Sequence, residues 1–134
     1  MYLKVPSRHD LVRRYTDQLD EDRLLLEVGA ASECFQKGQA LYRQTRYFDC
    51  VEQLSEALDC FNTMEPPTQS LKTNLPQVYA LVKDCYLLSA DCYTKMDQQE
   101  SALVCLKAIL KTEPEDVETL FLRGQALEIR QETA

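Results

Sequence analysis

Glycine and proline are scarce in this chain, at 3 and 5 of 134 residues. So little punctuation argues against an all-β fold, whose many turns draw on both residues. Histidine is scarcer still: His9 stands alone. One imidazole cannot supply the two Glu-x-x-His motifs of a dimetal helical bundle, and no C-x-x-C pair is present to begin a Cys/His zinc site. No apolar run approaches the roughly 18 residues of a membrane-spanning helix. The opening MYLKVPSRHDLVRR lacks the apolar core of a secretory signal and reaches charged residues at once. Positive charge is also short, with 15 Lys and Arg against 22 Asp and Glu and a net charge of −7. Binding to nucleic acid or to an anionic membrane is disfavoured, because phosphate affinity needs clustered cations.

What is abundant is the set of strong helix formers, Leu, Ala, Glu, Gln, Lys and Arg. The length suits a single domain, and the prior is an all-α fold in the cytosol, the nucleus or both. Six cysteines, at 34, 50, 60, 85, 92 and 105, fall at or near apolar helical positions and read as reduced core thiols. Cys60, nearest a loop, is the candidate for a reactive one. Catalysis is not expected, since His9 has no Ser or Cys partner that the sequence specifies. No cofactor and no metal are implied.

Ser7 and Asp10 resemble a capping box, with Leu11, Val12, Tyr15 and Leu19 at helical spacing behind it. A first helix is expected from about residue 8. Leu24, Leu25, Leu26 and Val28 either continue it or start another before Gly29. From Ala31 the apolar positions Cys34, Phe35, Leu41 and Tyr42, and after Thr45-Arg46 the set Val51, Leu54, Leu58 and Phe61, predict a helical hairpin. A loop follows over Asn62 to Asn74, where adjacent prolines remove helix hydrogen bonds. A long helix is expected from about Pro76 to Met96-Asp97, with Val78, Leu81, Val82, Cys85, Leu88 and Cys92 facing inward. Ser101 to Lys111 forms its partner. Glu113-Pro114-Glu115-Asp116 then breaks the chain and sets acids at the favourable start of a last helix.

The chain also repeats. Leu87, Ala90 and Tyr93 recur 34 residues later as Phe121, Gly124 and Leu127, and 52 residues earlier as Phe35, Gly38 and Leu41. The excess of 18 residues is placed in the Pro-Pro loop and the start of the long helix. A 34-residue helix-turn-helix period, with a small residue where helices cross and Pro after the second helix, resembles the tetratricopeptide repeat. The strongest unit runs from Asp84 to Asp116 through Ala90, Tyr93, Ala102, Leu106 and Pro114. The first, Ala31 to Asn62, matches through Gly38, Tyr47, Leu54 and Ala57, with Cys50 and Asn62 in place of the usual alanine and proline. The third carries Leu120, Gly124 and Leu127 and reaches Ala134 with only its first helix.

The resemblance implies antiparallel hairpins stacked as a short right-handed solenoid with capping helices. Residues 1–30 are then an N-terminal cap and 31–134 the repeat domain, divided into 31–62, a 63–76 insertion, 77–114 and 115–134. It further implies a concave groove lined by the first helix of each unit. The residues are Phe35, Gln39, Tyr42 and Arg43; Leu87, Asp91, Thr94 and Lys95; and Phe121, Gln125, Glu128 and Ile129. Phe35, Leu87 and Phe121 would form an apolar lane, unless they are ordinary core contacts, and Gln39, Asp91 and Gln125 a polar lane beside it. A subgroup of the family grips the acidic tails of Hsp70 and Hsp90 with a basic and amide clamp. Its positions here hold Phe35, Gln39, Leu88 or its neighbour, Glu118 and Leu122, so the clamp is absent. The expectation is a non-enzymatic adaptor or scaffold that binds a protein or peptide. The alternatives are a structural subunit of a larger complex or homo-oligomer, joined through the last helix, and, less favoured, a co-chaperone adaptor.

Overall fold

Helical periodicity becomes six helices: α1 (Arg8–Arg43), α2 (Tyr47–Asp59), α3 (Gln69–Asn74), α4 (Pro76–Lys95), α5 (Gln99–Thr112) and α6 (Val117–Thr133). The computed structural model describes residues 7–61 and 67–133, with side chains except at 10, 11, 14–19 and 130–133. The Ser7/Asp10 box, the inward positions Leu11, Tyr15 and Leu19, and the start of the loop at 62–66 lie outside that description. All regular structure among the described residues is helical.

α1 answers the question that the leucine-rich stretch left open. It is one helix of 36 residues, unbroken through Gly29, whose missing Cβ would meet nothing within 4 Å. Glycine in a helix interior costs only about 1 kcal/mol relative to alanine. Leu24 and Val28, one turn apart, pack against the core and hold the helix there.

The α1–α2 and α4–α5 turns are built alike, 52 residues apart. Thr45 and Asp97 both adopt the left-handed conformation, at φ 62° and 59°. Arg46 N–H donates to Leu41 O at 3.0 Å, and Gln98 N–H to Tyr93 O at 2.8 Å. Thr45 N–H to Tyr42 O and Asp97 N–H to Thr94 O complete the match. Aspartate tolerates this conformation, whereas a β-branched threonine is strained in it.

The expected loop over 62–74 needs correction, because its second half is helical. Thr68 caps α3 by accepting from Leu71 N–H at 3.1 Å, a use of the threonine hydroxyl that the polar composition hid. Pro76 then opens α4 at a position where its missing N–H costs nothing. The acids before α6 also divide their work. Asp116 caps that helix, accepting from Thr119 N–H at 3.1 Å and from its hydroxyl. Glu113 instead turns back to α3 and α4.

The helices pack in sequence, α1 on α2, α2 on α4, α4 on α5 and α5 on α6, and α1 and α6 each also touch α4. Two apolar clusters result. The first joins Ala31, Cys50, Leu54, Ala57, Phe61, Val78, Val82, Cys85 and Cys92, and the second Leu87, Ala90, Ala102, Leu106, Ile109 and Ala126. α4 contributes to both, and so its apolar residues cover more than one face. At Gly38 a Cβ would stand 3.2 Å from Leu54 Cδ2, closer than ordinary van der Waals contact, so the missing side chain lets α1 and α2 approach closely where they cross. Six free thiols are present, of which Cys50, Cys85 and Cys92 are buried.

Candidate functional site

Steps of three and four residues keep side chains on one helical face. Phe35 and Gln39 of α1, Asp84, Leu87, Leu88 and Asp91 of α4, and Glu118 and Leu122 of α6 follow that rule and converge on a concavity of about 320 Å³. Asp91 also borders a second hollow of about 240 Å³, with Thr94, Lys95, Gln125, Glu128 and Ile129. The two form one groove that crosses α1, α4 and α6.

Asp91 is its pivot. The Tyr42 hydroxyl donates to Asp91 Oδ2, and Lys95 Nζ lies 3.8 Å from Asp91 Oδ1. Lys95 also stands 5.9 Å over the Tyr42 ring, which meets Tyr47 edge-on at 5.6 Å. Burial first, and then the carboxylate beside it, hold the Tyr42 hydroxyl well above the ordinary phenol range. It therefore remains a donor. Thr94 spends its hydroxyl on Ala90 O, at 2.9 Å, within its own helix.

The lining of the first concavity carries Asp84, Asp91 and Glu118 and no cation. Desolvation by the groove walls pushes the Asp84 carboxyl above its usual range, only partly offset by Lys83, even though the residue keeps an open edge to solvent. A positive charge placed there would satisfy it.

Of the expected groove residues, Phe35, Gln39, Leu87, Asp91, Thr94, Lys95, Gln125, Glu128 and Ile129 line these hollows. Tyr42 stands behind Asp91 and acts on the groove through its hydroxyl. Arg43 and Phe121 border neither hollow. Phe121 is 63 % exposed, whereas Leu122, one position on, reaches the second cluster beside Ala126. Leu87 is only 6 % exposed and belongs to the core. Of the expected apolar lane, Phe35 and Leu87 thus line the groove, Leu87 as its floor, while Phe121 lies outside both hollows. Asp84, Leu88, Glu118 and Leu122 complete the lining of the first concavity.

A second polar cluster ties the α5–α6 turn to α3 and α4. Lys83 Nζ lies 3.0 Å from both Glu113 and Asp116, Lys72 lies 3.4 Å from Glu113, and the Tyr79 hydroxyl donates to Glu113 at 2.6 Å. Thr112 Oγ1 donates to Pro67 O at 3.1 Å, pinning the inserted segment. The Tyr79 hydroxyl first, with Lys83, holds the Glu113 carboxyl below its usual range, and the Thr119 hydroxyl first, with Lys83, does the same for Asp116. Every member is partnered within the fold, so the cluster serves structure.

Cys60 does not fit the role of a reactive thiol. Burial, and then Cys34 beside it, push it up, away from the thiolate form that attacks. Among the described residues no three His, Cys, Asp or Glu side chains are placed to hold a metal ion, and no helix is long and apolar enough to cross a membrane. Compared with protein-family models, with curated proteins and with solved structures, the chain has no match.

Proposed function

We propose that the chain is a tetratricopeptide-like interaction module, and that its α1/α4/α6 groove holds a segment of a partner protein bearing Lys or Arg beside an apolar residue. The reading of the helices as stacked repeats is supported by the matching turns at Thr45 and Asp97. Small residues support it too, with Gly38 against Leu54 and Ala90 in the cluster with Ala102. The five positions that the resemblance assigns to a clamp lie around one hollow.

The observation that carries the choice of ligand is the lining of that hollow, three carboxylates beside Phe35, Leu88 and Leu122 with no cation among them. An acidic tail would be repelled, which disfavours the co-chaperone reading. A basic side chain would pair with Asp84, Asp91 or Glu118 while a neighbouring apolar side chain rests on Phe35 and Leu122. The Gln39 and Gln125 amides offer both donors and acceptors to a peptide backbone. Binding rather than catalysis is the function proposed, without cofactor, in a reducing compartment such as the cytosol or nucleus that suits six free thiols.

An immobilised library of short peptides, basic-apolar and acidic-apolar in equal number, tests this with the wild-type chain and an Asp84→Lys, Glu118→Lys variant checked for helicity by circular dichroism. Retention of the basic class by the wild type, reduced at least tenfold in the variant, is expected. Equal retention of both classes, or no effect of the variant, overturns the proposal.

A further inference from the structure

The α5–α6 face has the opposite character. Leu103 and Leu110 of α5 and Leu127 of α6 line an apolar trough of about 440 Å³, rimmed by Lys107, Lys111 and Arg123. Lys107 and Lys111 stand one turn apart on α5, about 6 Å along the axis, with Arg123 contributed by α6. No acid shares the lining, and among the described residues none of the three cations makes an ion pair with a carboxylate. In a chain of net charge −7 this is a concentrated positive rim around an uncovered apolar floor.

The complementary surface is on the same chain. Asp20 and Glu21 are exposed on α1, and so are Leu25 and Leu26, at 66 % and 75 %. Glu21 precedes Leu25 by four residues, so acid and leucine stand one above the other on the helix. Leu24 and Val28 take the inward side and anchor the helix to the first cluster, which leaves Leu25 and Leu26 facing outward. Leu25 and Leu26 thus set exposed apolar side chains next to the acids.

We propose that these surfaces join copies of the chain head to tail, the Asp20, Glu21, Leu25 and Leu26 surface of one protomer, whose Arg23 is paired with Glu27 at 3.4 Å, seated in the α5–α6 trough of the next. Two troughs do not pair with each other, because that would bring six cations together across an apolar contact. The contact is therefore heterologous. In the open arrangement proposed, each protomer's two surfaces meet different neighbours, so protomers add without limit instead of pairing reciprocally in a two-fold dimer. The groove residues take no part, so the failure of one proposal leaves the other standing.

Sedimentation velocity on the full chain, over a wide concentration range at low and high salt, tests this. Species of two, three and more protomers that grow with concentration and shrink on raising the salt are expected. Lys107→Glu with Lys111→Glu, and separately Asp20→Lys with Glu21→Lys, should each hold the chain monomeric, with helicity unchanged by circular dichroism. Mixing those two variants should restore association, because each swapped surface then meets its opposite charge. A Leu26→Asp variant should be monomeric at every salt concentration. A wild-type chain that stays monomeric throughout, a dimer that does not grow, or association untouched by either charge swap overturns the proposal.

Discussion

Tyr42 on α1 and Asp91 on α4 meet behind the groove lining, hydroxyl to carboxylate, at 2.5 Å. Lys95, one turn beyond Asp91, faces both partners. The carboxylate that gives the groove much of its acidic character also fixes the spacing of two of its walls. Replacing Tyr42 with Phe removes the donor and keeps the ring against Tyr47. A loss of about 1–2 kcal/mol in urea unfolding is expected, the usual size for a hydrogen bond to a charged, half-buried group. Stability equal to the wild type would show that the bond contributes nothing.

The Lys83 cluster sets the response to pH. Glu113 and Asp116 are depressed in the fold, so their contribution is fully present above the unfolded carboxylate range and is lost as the pH falls through their folded values. Lys83 is raised, so its contribution is present below the ordinary lysine range and is lost as the pH rises through its folded value. Thermal unfolding of Glu113→Gln should show a shallower fall in acid than the wild type and a lower melting temperature at pH 7. An acid limb unchanged in slope would remove Glu113 from this account.

Thr45 holds a left-handed backbone with a β-branched side chain. Thr45→Asn relieves the strain at an exposed turn and should stabilise the chain by about 1 kcal/mol, the scale of the penalty for that conformation. Asp97→Asn, at the matching turn, should change little, because aspartate already tolerates it. Equal effects at the two turns would refute the assignment of strain.

The three glycines differ in what surrounds them. Gly124→Ala puts a methyl into open space on a helix and should add about 1 kcal/mol through propensity alone. Gly38→Val drives side-chain carbons toward the fully buried Leu54 and should cost about 1–3 kcal/mol. Denaturant midpoints that shift in the same direction for both would contradict this packing.

Burial raises the thiols of the core, Cys85 to about 12 and Cys105 to about 11, and Cys50 and Cys92 upward with them. A thiol raised in this way holds very little thiolate at pH 8, too little for ready attack on a disulfide reagent. With Ellman's reagent, Cys50, Cys85 and Cys92 should stay unmodified in the folded chain, while all six react in urea. Fast labelling of Cys85 under native conditions would mean that the first cluster opens.

Much of this architecture could be read from side-chain period alone. The start of α1 near residue 8, the hairpin around Thr45-Arg46, the end of α4 and the break before α6 each follow from apolar spacing or from the residues that interrupt it. These are local decisions, made within a few turns of chain, and the residue types are enough to make them. The 52-residue shift was likewise visible, in Phe35, Gly38 and Leu41 against Leu87, Ala90 and Tyr93, although the residues of the two turns differ and their matching hydrogen bonds join backbone groups.

Three things waited for the tertiary structure. Whether the chain breaks at Gly29 depended on Leu24 and Val28 finding the core, which offsets the cost of glycine. The short helix that Thr68 caps sits in an inserted segment that Thr112 ties down at Pro67 and Glu113 at Lys72, contacts made by residues about 40 positions away in sequence. The rotation of α6 about its axis, which turns Leu122 inward and Phe121 outward, was set by Ala126 docking against α4 and α5. Sequence period fixes which residues share a face. Which way that face points is decided by what it packs against.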